Sequence, residues 1–112
     1  MSTLLKKNFA DPDSVAQPAP SMSVKTVTLG GAEFRQVQAR PGWRWLVDLQ
    51  PTVKTDSCQF DHLLYMISGK LHSRMADGQE LEYGPGDIAA IPPGHDGWTV
   101  GDEPAIWLEI PH

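Results

Sequence analysis

The feature that most limits what this chain can become is its punctuation by glycine and proline. Gly30-Gly31, Pro41-Gly42, Ser68-Gly69, Asp77-Gly78, Gly84-Pro85-Gly86 and Pro92-Pro93-Gly94 recur along it, with Gly101 and Pro104 closing the series. Glycine supplies turn conformations that other residues resist, and proline removes the backbone donor that a helix or a central strand needs. A chain interrupted this often has room for short strands and tight turns but not for long helices. The segments between the interruptions agree. They are short and rich in Val, Ile, Leu and Trp, and strands are expected over 24–29, 34–39, 43–49, 63–67, 71–75, 80–83, 87–91, 98–100 and 105–110. Many short strands with regular turn signals describe a β-sandwich, jelly roll or barrel, with no helix predicted.

Three stretches carry more detail. In WRWLVDL, strict alternation puts Trp43, Trp45, Val47 and Leu49 on one strand face. The unbroken apolar run over 63–67 predicts a strand covered on both sides. Ser68-Gly69 predicts a two-residue hairpin turn. That hairpin would set Tyr65 opposite His72 and leave His62, Leu64 and Met66 on the other face, so His72 is set apart from His62. Residues 1–22 read as an irregular arm before a single domain over 23–112, because Pro12, Pro18 and Pro20 exclude helix and central strand. The arm's Leu4, Leu5, Phe9 and Val15 would either dock on the domain or on a neighbouring subunit, or stay free.

Composition excludes several classes. A chain of 112 residues makes one domain with one core. A net charge of −5 argues against nucleic acid, whose phosphates call for a basic face. A single cysteine, Cys58, forms no intrachain disulfide and fits a reducing cytoplasm or a thiol role. No apolar run approaches membrane-spanning length and no signal-peptide pattern is present, so a cytoplasmic protein without a membrane partner is expected.

Cys58, His62 and His95 are the residues with chemistry to offer. Thiolate and imidazole suit borderline and soft divalent metals, and two histidines with one cysteine suit zinc in an open site; iron, nickel and manganese remain alternatives. Such a metal would polarise a substrate oxygen or acidify a bound water. In a regular strand Cys58 and His62 would stand about 13 Å apart, far beyond ligand reach, so one site requires a bend at 59–61. Each residue has a plainer reading as well: a small core cysteine, a hydrogen-bonded core histidine, a turn residue at the rim. Asp56 and Asp96 would either be solvated or orient a histidine from behind. Trp43, Trp45, Tyr65 and Trp98 are the candidate walls of a small-molecule pocket.

The phrases YMISGKL, DGQELEYGPGDIAAIPPGH and GDEP resemble the cupins, over roughly 24–110. Gly69 matches the glycine that closes the first cupin motif, His62 stands where that motif has its glutamate, and Asp56 and Cys58 stand at its two histidines. Gly86, Pro92, Gly94 and His95 follow the second motif, with the histidine directly after the glycine. PGWRW, TDSC, SGK-LH and PPGHDGW also resemble a narrower bacterial group of cupins. The resemblance implies an all-β double-stranded β-helix, or jelly-roll barrel. It also implies a metal-binding protein that takes, and in some members transforms, a small organic molecule, and a homodimer. It does not choose among isomerase, oxygenase and lyase chemistry. A non-catalytic sensor or binding module, or a dimeric scaffold without metal, is the alternative.

Overall fold

The computed structural model describes residues 2–112. Among these residues, nine strands and two short helical segments follow one another: β1 (Ser14–Ala19), β2 (Met22–Leu29), β3 (Ala32–Ala39), α1 (Trp45–Asp48), α2 (Gln50–Val53), β4 (His62–Ser68), β5 (Lys70–Met75), β6 (Glu80–Tyr83), β7 (Ile88–Ile91), β8 (His95–Val100) and β9 (Ala105–Glu109). They make a six-stranded sheet ordered β1-β2-β3-β9-β4-β7 and a three-stranded sheet ordered β6-β5-β8. Every pairing is antiparallel. The sheets face each other across one core, where Leu64, Met66 and Trp107 of the larger meet Leu71 and Tyr83 of the smaller. Period-two alternation explains the facing: along β4, Leu64 and Met66 are buried while Tyr65 and Ile67 are 40% and 42% exposed. The segment over 63–67 is therefore half-buried in the single chain, not covered on both sides.

The hairpin expected at Ser68-Gly69 does not form. β4 pairs with β7 and β9, β5 pairs with β6 and β8, and Gly69 carries the chain from one sheet to the other. Its φ is +69°, and a Cβ there would stand 2.0 Å from the Pro104 carbonyl oxygen. Only glycine fits such a crossing. Tyr65 consequently faces Leu108 and Ile88, and His72 pairs with Glu82 and Trp98.

Two further expectations change. Trp43 and Trp45 both point inward as alternation required, but the chain then coils into α1 and α2 instead of continuing as a strand. The Asp48 carboxylate accepts the Arg44 backbone N–H at 2.8 Å, and Pro51 sits in the first turn of α2, where a missing N–H costs nothing. The arm is not irregular throughout, since Ser14–Ala19 forms an edge strand on β2. Pro18 is compatible with that because an edge strand leaves one side unpaired, and the register shifts between Ala16 and Ala19. Ahead of β1 the chain lies over the outer side of β2 and β3, where Phe9 is near Val27 and Phe34. Asp13 fastens it there, accepting the Thr28 N–H at 2.7 Å and pairing with Lys7.

Candidate metal centre

Cys58, His62 and His95 reach one point from three different parts of the chain. His62 opens β4 in the large sheet, and His95 opens β8 in the small one. Cys58 belongs to neither. Its N–H donates to the His95 carbonyl at 2.7 Å and its own carbonyl accepts the Gly94 N–H at 2.7 Å, so the loop before β4 is pinned across to β8. Residues 59–61 then carry the chain from the small sheet to the large one. That crossing supplies the bend, and it removes the 13 Å separation of a straight strand. One donor atom from each of the three residues falls within 4.8 Å of the others. The Cys58 Sγ lies 3.9 Å from His62 Nε2.

Both histidines have their far nitrogen held. His62 Nδ1–H donates to Glu109 at 2.7 Å, and the same carboxylate oxygen accepts the Trp107 indole N–H at 2.9 Å. His95 Nδ1–H donates to the Pro92 carbonyl at 2.7 Å, a contact made by the turn of Pro92-Pro93-Gly94. A carbonyl only accepts, so in a neutral His95 ring the proton sits on Nδ1 and the Nε2 lone pair faces the cluster. Charge is organised to match. Burial alone would raise the Cys58 thiol, but the His62 and His95 nitrogens beside it pull it down from 9.0 to about 6. Burial would likewise lower His62, yet the Cys58 sulfur and the Glu109 carboxylate lift it from 6.5 to about 9. Both shifts favour the ion pair, a thiolate beside an imidazolium.

The cluster stands in the wall of a cavity of about 640 Å³ between the sheets. Trp43, Trp45 and Trp107 line it, with Val24, Leu64 and Ile91 among its aliphatic neighbours. The other expected positions fall elsewhere. Tyr65 is on the outer side of β4, and Trp98 is on the outer side of β8, stacked on His72 at 4.5 Å with the Arg44 guanidinium above it. Neither lines the cavity. Asp56 is exposed. Asp96 is buried, but it accepts the Arg44 Nε–H at 2.8 Å, the Leu46 N–H at 3.2 Å and the Gly97 N–H at 2.9 Å, so it anchors α1. The carboxylate behind a histidine is Glu109, which sequence reasoning missed. Its signal was present: Ala105, Trp107 and Glu109 share one face of the last strand, and a charge in an apolar row needs a partner.

Residues 45–111 match the family described as the cupin domain. The chain belongs to the cupins. The match runs from α1 to just beyond β9, and the strands ahead of it extend the cupin's larger sheet. Among solved structures, this cupin resembles a protein of unknown function from Rhizobium leguminosarum at 22% identity and a TM-score of 0.65, over 99% of this chain and 100% of the other. The polyketide cyclase RemF from Streptomyces resistomycificus aligns over 97% of this cupin and 79% of its own length, at 17% identity and a TM-score of 0.66. A cupin-like protein from Thermotoga maritima aligns over 80% and 67%, at 19% identity and a TM-score of 0.56. These likenesses are of fold. No curated protein matches the sequence.

Proposed function

We propose that this cupin binds one divalent transition metal through Cys58, His62 and His95, zinc by preference, and holds a small organic molecule in the adjoining cavity. The convergence of one sulfur and two imidazoles whose Nδ1 atoms are already engaged carries the reading. The donor set fits the group: a thiolate and two neutral imidazoles match zinc, and they match calcium or magnesium poorly. A metal with three protein ligands retains an open position, where it supplies Lewis-acid polarisation of a ligand oxygen. This chain's own residues do the rest. Glu109 and Pro92 fix the two rings, Trp107 fixes Glu109, and Trp43, Trp45 and Trp107 exclude water from the cavity's apolar end.

A second reading is a binding module that transforms nothing. It is favoured by the scarcity of other acid–base groups: apart from the three ligands, the wall's only titratable side chains among the described residues are Arg35 and Glu109, and Glu109 is already engaged. A cytoplasmic setting accompanies both readings, since an uncrosslinked thiol persists in reducing surroundings. None of the helices among the described residues is long and apolar enough to cross a membrane. The test is metal analysis of protein purified without a nickel column. Near-stoichiometric zinc is expected, and metal-free protein that also fails to take up zinc would overturn the metal site.

A further inference from the structure

The cavity has a direction. Along the inward face of β3, Glu33 is exposed, Arg35 is half-buried, and Val37 and Ala39 are buried. The mouth is therefore at Arg35 and the deeper end at Val37. The register across the large sheet sets Thr26, Arg35, Glu109 and Leu64 in one row, which reaches the mouth at Arg35, with Val24, Val37, Trp107 and Met66 in the next row below. The first row contains polar and charged groups. The second is wholly apolar. Glu109 in the first row holds His62, so the metal cluster lies at the same level as Arg35.

Arg35 is the sole arginine or lysine on the cavity wall among the described residues. Its Nη2 donates to the Glu33 carboxylate at 2.8 Å, and both side chains of that pair are well exposed, at 39% and 50%. An exposed single-contact pair contributes little and exchanges readily. The remaining guanidinium donors have no protein partner among the described residues. A guanidinium offers a planar fork that fits a carboxylate through two parallel hydrogen bonds.

We infer that the cavity selects an organic anion: a carboxylate bound by Arg35 at the mouth, with an apolar body, aromatic or aliphatic, directed toward Val37 and Trp107. The inference rests on the reading of the cavity as a small-molecule site, and it does not require a metal. Arg35 acts here as a specificity residue. Glu33 holds the guanidinium in place until the ligand carboxylate displaces it.

The test compares 2-naphthoate with 2-naphthamide, two probes of the same body that differ in charge. Binding is measured by calorimetry and by quenching of the cavity tryptophans, on protein as purified and after treatment with a chelator. Naphthoate is expected to bind about tenfold more tightly than the amide in both samples, because a charge-assisted pair replaces a neutral contact. Arg35→Gln should abolish that difference by weakening naphthoate far more than the amide, and Arg35→Lys should restore part of it. Glu33→Gln should tighten naphthoate alone. Equal affinities for the two probes would overturn the inference, as would a preference that survives Arg35→Gln. Failure of both probes to bind would overturn it together with the cavity reading. An Arg35-dependent preference in protein that never takes up zinc would support it and remove only the metal centre.

Discussion

Each histidine of the cluster has one nitrogen engaged, His62 by Glu109 and His95 by Pro92, so the geometry for binding exists before a metal arrives. His62→Ala and His95→Ala should each lower zinc affinity by orders of magnitude, and His72→Ala, outside on β5, should leave it unchanged. Glu109→Gln should lower it by roughly 10–100-fold, the usual effect of losing the group behind a ligand. Titration against a competing chelator checks all four. Protons oppose the metal in a defined window. With Cys58 at about 6 and His62 at about 9, the pair holds one proton across that interval, and metal binding releases it. Zinc affinity should therefore rise about tenfold per pH unit from about 6 to about 9, rather than level off at the ordinary histidine value. Stability of the metal-free protein behaves differently. The lowered Cys58 pKa contributes stability present above 9.0 and lost as pH falls toward 6. The raised His62 pKa contributes stability present below 6.5 and lost as pH rises toward 9. Opposite slopes cancel over 6.5–9, so this pair should leave the urea midpoint flat there. Cys58, His62 and His95 stood out in the sequence because few residue types bind metal. Glu109 was legible only as a charge in an apolar row, and its partner, like the place of Arg35, depends on which strands become neighbours, which nothing local tells.

At the level of elements, alternation was enough to read most strands and too little to read three features. WRWLVDL alternates, but Trp45, Leu49 and Val53 also follow a helical spacing, and all three line the cavity. Two periods compete over 43–53, and Asp96 decides between them by binding Arg44 and Leu46 from across the fold. Pro18 spoke against a central strand, and β1 is an edge strand, a distinction that only β2 as a neighbour could supply. The crossing at Gly69 looked like a hairpin because both need a positive φ. Long-range pairing separates the two. Gly69→Ala meets the Pro104 backbone, whereas a Cβ at Gly101, also at positive φ, meets open space. Gly101→Ala should cost about 1–2 kcal/mol of unfolding free energy. Gly69→Ala should cost distinctly more, or prevent folding. Urea denaturation of the two variants compares them directly, and equal costs would contradict the crossing geometry.

At the scale of the whole molecule, the outer side of the large sheet is where a partner is expected. Tyr65, Ile67 and Ile88 are exposed there, at 40%, 42% and 70%, and Tyr65 and Ile88 are register partners on adjacent strands. Clustered apolar side chains of this kind on a sheet face mark an interaction surface. The cupin is expected to run as a homodimer at twice its 12.3 kDa chain mass, and Ile88→Lys should shift it toward monomer. Light scattering at micromolar concentration reads both, and a wild-type mass of one chain would remove the interface.

His62 belongs to one sheet and His95 to the other, with Cys58 tethered to the second. A cation held by these three would work as a clasp between the two halves of the sandwich. Its worth would then show in motion as much as in chemistry. Amides of β4 and β8 should exchange more slowly with zinc than without it, while those of β2 and β6, far from the clasp, keep their rates. A ligand that enters past Arg35 would have to do so with the halves already fastened.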